Sequence, residues 1–171
     1  MNVSLRPATD DDRAGILDVH LRAIRETCSR SYSPEQVQAW AALLSPDSYS
    51  TVLKERVMVV ATDGEAIVGF GQLNADTGEV DAVYVLPDCQ GQGIGRLLLA
   101  DLEAKARARG IGVLELSATL NAVPFYSQAG YARRRVAVHR LPTGVELACV
   151  RMAKELQDRE VAQQGVEADE A

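Results

Sequence analysis

The segment Glu79–Leu99, EVDAVYVLPDCQGQGIGRLLL, limits the folds open to this chain more than any other stretch. Alternating apolar residues predict a strand from Gly78 to Val85, and Pro87 ends it. Glycine then stands at every second position from Gly91 to Gly95, and a helical pattern begins at once. A glycine-rich turn is thereby set on a helix N-terminus. Glycine lets the main chain turn tightly and approach a ligand with no Cβ in the way. The unpaired N–H groups of the first helical turn, together with the positive end of the helix dipole, favour an anion. The expectation is a seat for phosphate.

Spacing excludes two other phosphate loops. A P-loop requires GxxxxGK followed by Ser or Thr, whereas Arg96 and Leu97 follow Gly95 here. A dinucleotide fingerprint requires GxGxxG after the first strand of a βαβ unit, whereas the spacing here is GxGxG.

The 171 residues suffice for one domain with a proper core. That domain is expected over 1–156, and the acidic stretch 157–171, without apolar periodicity after Val161, is expected to be a disordered tail. The net charge of −6 lacks the basic face that nucleic acid would require. No apolar run approaches the ~18 residues of a membrane span, and MNVSLRPATD lacks a secretory pattern, so a cytoplasmic location is expected. Cys28, Cys89 and Cys149 form no paired spacing and only two histidines are present, which argues for free thiols, no disulfide and no metal. Cys89 adjoins the glycine loop and is read as a small filler rather than a nucleophile.

Val3–Arg6 reads as a first strand. Thr9 with the three aspartates after it caps a helix reaching about Thr27, with Ile16, Leu17, Leu21 and Ile24 inward. Ser33, Pro34 and Gln36 form a capping box for a second helix carrying Val37, Trp40, Ala41 and Leu44, with Trp40 assigned to the core. Arg56–Thr62 and Glu65–Leu73 are strands joined at Asp63-Gly64. After the loop, a helix over Arg96–Arg109 turns Leu98, Leu99, Leu102 and Ala106 inward, and Lys105, Arg107 and Arg109 suit its negative end. Val113–Ser117, a short helix capped by Asn121, and the strands Arg133–Leu141 and Val145–Met152 complete the chain.

The string QGQGIGR, with Gln90, Gly93 and Gly95 in place, fits the Q/RxxGxG/A motif of the GCN5-related N-acetyltransferases (GNAT). NAVPFYSQAGY resembles that family's second signature. The resemblance covers Val3 to Lys154 and is strongest between Glu79 and Tyr131. It implies a single α/β (α+β) domain: a mixed, mostly antiparallel sheet of about seven strands with a parallel central pair, and helices on both faces. It also implies that acetyl-CoA is the co-substrate. On that reading the strand through Val83, Tyr84 and Val85 pairs its backbone with the pantetheine arm. Amides of Gln90, Gly91, Gln92, Gly93, Ile94, Gly95 and Arg96 hold the pyrophosphate, and Asn121 bonds the pantetheine or phosphate arm beside its capping role.

The resemblance points to Tyr126 as the acid that protonates the leaving thiolate, since a phenol of pKa about 10 stays protonated at neutral pH. Phe125 is read as core. Glu79 and Asp81 share a strand face by the period of two and are the candidate general bases. The expected activity is transfer of acetyl to an amine of a small molecule or peptide by direct attack. A non-catalytic CoA-binding module and a nucleotide-binding regulator stand as alternatives. Edge strands near the C-terminus leave a homodimer open, and the acceptor is not named by the sequence.

Overall fold

A computed structural model describes residues 1–157, so the expected acidic tail, except for Gln157, lies outside the described residues. Seven strands form one sheet in the order β1-β2-β3-β4-β5-β7-β6. They are β1 (Val3–Pro7), β2 (Val57–Asp63), β3 (Ala66–Asn74), β4 (Glu79–Val85), β5 (Val113–Thr119), β6 (Ala132–Arg140) and β7 (Glu146–Glu155). Every neighbouring pair is antiparallel except β4 and β5, which run parallel because the helix α4 (Ile94–Ala108) carries the chain across between them. This is the mixed sheet expected from the sequence. Helices cover both faces, and among the described residues none is long and apolar enough to cross a membrane.

On one face α4 lies over β3 and β4. Its stripe of Leu98, Leu99, Leu102 and Ala106 is buried, as its period predicts, and each leucine removed from water contributes about 1.5–3 kcal/mol. The close approach has a cause in β3: a Cβ at Gly69 would stand 3.1 Å from Leu98 Cδ1, and one at Gly71 would stand 3.0 Å from Leu102 Cδ1. Lys105 pairs with Asp101 at 2.6 Å, and Arg109 donates to the Lys105 carbonyl, so the basic end of α4 serves its own helix.

The other face carries α1 (Arg13–Arg22), α2 (Pro34–Ala41) and α3 (Ser50–Glu55). The expected first helix continues past Arg22 as a π-type turn over Ala23–Thr27 and a 3₁₀ turn over Cys28–Arg30. The Ser33–Gln36 capping box forms as read. Trp40 packs edge-on against Tyr32, ring centres 6.0 Å apart, within the α2 cluster. The sequence reading missed α3. It also placed the first hairpin turn one residue early: Asp63 pairs with Ala66, so Gly64 and Glu65 form the loop. The outer strand β6 exposes Val136 and Val138 beside Arg133, Arg134 and Arg135.

Candidate active site

The site begins as a fork between two strands. Only two rungs join β4 to β5, Glu79–Glu115 and Val80–Leu116. Beyond them β4 runs on to Val85 and β5 to Thr119 without pairing to each other, although each keeps its outer neighbour, β3 and β7 respectively. The facing backbone edges of residues 81–85 and 117–119 therefore lack strand partners among the described residues, and such edges invite an extended ligand.

The open end of the fork meets the glycine loop. A 3₁₀ turn over Pro87–Cys89 leads into Gly91 (φ 77°) and Gly93 (φ 82°), both left-handed, and Gly93 occupies the cap position of α4. Alternation of this kind turns successive amides toward one side, and the 15-residue helix adds its positive end there. Fork and loop share one cavity of about 590 Å³. It is lined on β4 by Val83, Tyr84 and Val85, along the loop by Cys89, Gln90, Gly91 and the run Gly93 to Arg96, and on the far wall by Thr119, Asn121, Ala122, Phe125 and Gln128.

The third wall comes from the π-type turn, through Ala23 and Thr27, and from Cys28 at the start of the 3₁₀ turn that follows it. A π turn carries one more residue than an α turn, which rotates the following side chains out of the helix's own stripe. Two bonds tie this wall to the loop. Gln90 donates to Thr27 Oγ1 at 3.0 Å, and Arg22 reaches Asp88 at 3.0 Å. Tyr32 fixes its far side by donating to the Ala148 carbonyl at 2.6 Å and accepting from the Leu120 amide at 3.1 Å. The Cys28 thiol is pushed up to about 11 by burial, with the Asn121 side chain opposing, so it is a poor nucleophile.

A sequence profile described as the acetyltransferase (GNAT) domain matches residues 28–156. The chain belongs to that family. A solved GCN5-related N-acetyltransferase from Rhodopseudomonas palustris is 30% identical to this GNAT chain, covers 91% of it and 97% of its own length, and superposes with a TM-score of 0.86. The uncharacterized N-acetyltransferase YafP of Escherichia coli K12 is 25% identical over 130 residues, 76% of this chain and 81% of that protein. The PaiA N-acetyltransferase of Thermoplasma acidophilum, solved in complex with coenzyme A, shares the fold with a TM-score of 0.72 at 19% identity, covering 91% of this chain and 99% of its own. This GNAT protein is an acyltransferase by family.

The expected cofactor residues Val83, Tyr84, Val85, Gln90, Gly91, Gly93, Ile94, Gly95, Arg96 and Asn121 border the cavity, and Gln92 lies exposed within the same loop. Asn121 is not the helix cap that it was read to be. A 3₁₀ turn over Leu120–Ala122 intervenes, α5 (Val123–Gln128) is capped by Ala122, and the buried Asn121 Oδ1 has no hydrogen-bond partner among the described residues. The aromatic pair also divides differently from the reading. Phe125, read as core, lines the cavity and lies 3.3 Å from where a Gly95 Cβ would stand. Tyr126 is buried behind it in the α4 cluster, 5.0 Å from Phe125 and 5.8 Å from Tyr131 between ring centres.

A bulge in β4 arranges the two carboxylates. Gln72 and Leu73 are consecutive in β3, yet they face Ala82 and Val80, which leaves Asp81 as the extra residue. Asp81 accepts from Gln72 Nε2 at 2.9 Å and lies 3.4 Å from Arg56 Nε; burial raises its pKa above the usual carboxylate value. Glu79 is held by Arg151 at 2.8 Å. The bulge also resets the alternation, so that Val83 and Val85 pack toward α4 while Tyr84 packs on the other face against His20 and Phe70. Nothing in the residue pattern marked Thr27, Cys28 or Arg151, since their roles depend on the π turn and on the register of β7.

Proposed function

We propose that this protein transfers the acetyl group of acetyl-CoA to the amine of a small molecule or a peptide by direct attack, with no acetylated enzyme intermediate. The observation that carries the proposal is the continuity of the strand fork and the glycine loop in one cavity. The residues present fit the co-substrate. The orphaned Asn121 Oδ1 needs a donor that a pantetheine amide supplies, and the open strand edges offer the ladder partners such an arm requires. Loop amides from Gln90 to Arg96 would hold the pyrophosphate, and the backbone of Val83–Val85 the pantetheine. When bound, acetyl-CoA brings an activated thioester.

The chain's own groups then have three tasks: to free the amine of its proton, to polarise the carbonyl and to stabilise the leaving thiolate. For the first, Asp81 is better suited than Glu79. Burial raises its pKa above the usual carboxylate value, and Arg56 Nε stands 3.4 Å from it, whereas Arg151 donates to Glu79 at 2.8 Å. For the second, the bulge frees backbone N–H groups around Asp81 and Ala82 from regular pairing with β3.

For the third, Tyr126 stays protonated because burial raises its pKa still further above the ordinary phenol value. A phenol so weakly acidic keeps its own proton and donates a hydrogen bond to the developing thiolate, and the proton that the thiolate finally takes up is the one the amine loses as the amide forms.

The test is thiol release from acetyl-CoA over a panel of amines and amino-terminal peptides, with mass detection of the acetylated product. Amine-dependent release with one acetylated product supports the reading. Saturable CoA binding with no amine-dependent release across the panel counts for a binding module.

A further inference from the structure

At the closed end of the fork a single side chain from β7 holds both arms. Arg151 Nη1 donates to Glu79 Oε1 on β4 at 2.8 Å and to Ser117 Oγ on β5 at 2.9 Å. Its Nη2 donates to Glu115 Oε2 on β5 at 3.2 Å. Glu79 and Glu115 face each other in register as one of the two rungs that join the strands, and Ser117 is the first residue of β5 beyond the second rung. The three contacts therefore straddle the branch point.

Two rungs are few for holding a strand pair, and directly opposed carboxylates push it apart. The guanidinium reverses that repulsion and adds a planar brace with several donors in fixed directions. Arg151 is 21% exposed, so these bonds are partly shielded from solvent. On the opposite face Leu114, Leu116 and Ala118 of β5 and Val80 of β4 are buried in the same α4 core, and on this face Arg151 ties the two strands together.

We propose that Arg151 is a positioning residue that sets the width and register of the fork, and with them where a thioester carbonyl comes to lie relative to the Asp81 bulge. The proposal rests on the reading that acetyl-CoA occupies the fork. Without the guanidinium, Glu79 faces Glu115 unneutralised and Ser117 loses its tie to β4. The glycine loop, at the other end of the cavity, is left intact. Grip on the nucleotide end and placement of the thioester end thus become separable.

The experiment uses the full chain with acetyl-CoA labelled with ¹³C at the acetyl carbonyl, and CoA affinity measured by calorimetry. In the wild type the bound carbonyl resonance is displaced from its free position. In Arg151→Met, CoA affinity stays within about threefold, as expected for independent sites, while the bound resonance returns toward the free position. Arg151→Lys, which can reach one carboxylate but cannot brace all three partners, restores part of the displacement.

An unchanged displaced resonance in Arg151→Met, with CoA still bound, overturns the positioning role and leaves the cofactor reading standing. Absence of saturable CoA binding or of any displacement in the wild type overturns the cofactor reading itself. Should Arg151→Met not melt cooperatively, the double variant Glu115→Gln with Ser117→Ala keeps the Arg151–Glu79 pair, releases β5 and is judged by the same two readouts.

Discussion

Replacing Gly93 by Asn and by Asp separates the geometry of the glycine loop from its electrostatics. Gly93 caps α4 at φ 82°, ψ 5°, and a Cβ built on it meets nothing within 4 Å. Steric conflict is thus absent. Asn and Asp have nearly the same size and are the non-glycine residues most at ease in the left-handed region. They differ by one negative charge. A carboxylate near a bound diphosphate opposes it by about 1 kcal/mol per charge pair at 4 Å in water, and by more where solvent is partly excluded. Because the loop is open to solvent, the lower part of that range applies. Asp is expected to weaken CoA binding relative to Asn by about 1–3 kcal/mol, roughly five- to 150-fold in Kd.

The folded protein should respond in the opposite sense, since Asp at a helix N-terminus favours the dipole by about 0.3–1 kcal/mol. Gly93→Asp should therefore melt no lower than Gly93→Asn while binding CoA less tightly. The assay is calorimetric titration of CoA at low salt, repeated near 1 M salt, where a screening length of about 3 Å should close most of the gap. Gly144, also left-handed and open but in the β6–β7 turn, serves as the control: Asp and Asn there should bind CoA alike. Equal CoA affinity for Gly93→Asp and Gly93→Asn at low salt would refute the placement of the diphosphate on this turn.

Tyr126→Phe is expected to keep CoA affinity and lose roughly a hundredfold in turnover, the lower end of the range for general acid assistance; unchanged turnover removes Tyr126 from the chemistry. Asp81→Asn should lower kcat/KM by roughly a hundredfold, with Glu79→Gln affecting it far less. Because burial raises the Asp81 pKa, the acid limb of the wild-type rate profile should lie above the ordinary carboxylate value of about 3.9 and disappear in Asp81→Asn. Burial lowers His20 to about 4, so between that value and the ordinary ~6.5 the unfolded chain binds more protons than the folded one. Acidification through this window should cost the fold about 3 kcal/mol, read as a falling urea midpoint that His20→Gln flattens. An equal slope in that variant would assign the loss to other groups.

The glycine loop was legible because the backbone itself demands those residues: Gly91 and Gly93 both take positive φ. The α4 stripe was legible because four apolar positions at helical spacing leave one way to bury them. The helix α3 was not, since Ser50, Thr51 and Val52 are indifferent helix formers and its six residues give little more than one turn of pattern. The hairpin turn slipped by one because a bulge between Ala61 and Thr62 shifts the pairing without altering the residue pattern. Asn121 looked like a cap because it precedes an apolar helix, but the 3₁₀ turn moves the helix start and leaves its side chain for the cavity. Arg151 was invisible for a more general reason. It acts at Glu79, 72 positions away, and no local pattern encodes a partnership decided by the order of strands in a sheet.

The extra residue in β4 gives that strand something like a reading frame. Upstream of Asp81 the odd positions look one way; downstream the even ones do. Excising this single residue would turn the bulge into a plain ladder, with Ala82 to Val85 keeping both their β3 partners and their sides: Tyr84 would still lie beside His20 and Phe70, and the two valines would still meet the leucine layer. A one-residue deletion here should therefore be tolerated by the sheet, while it takes away the bend of β4 and the carboxylate at the branch point, so that folding survives and the site does not.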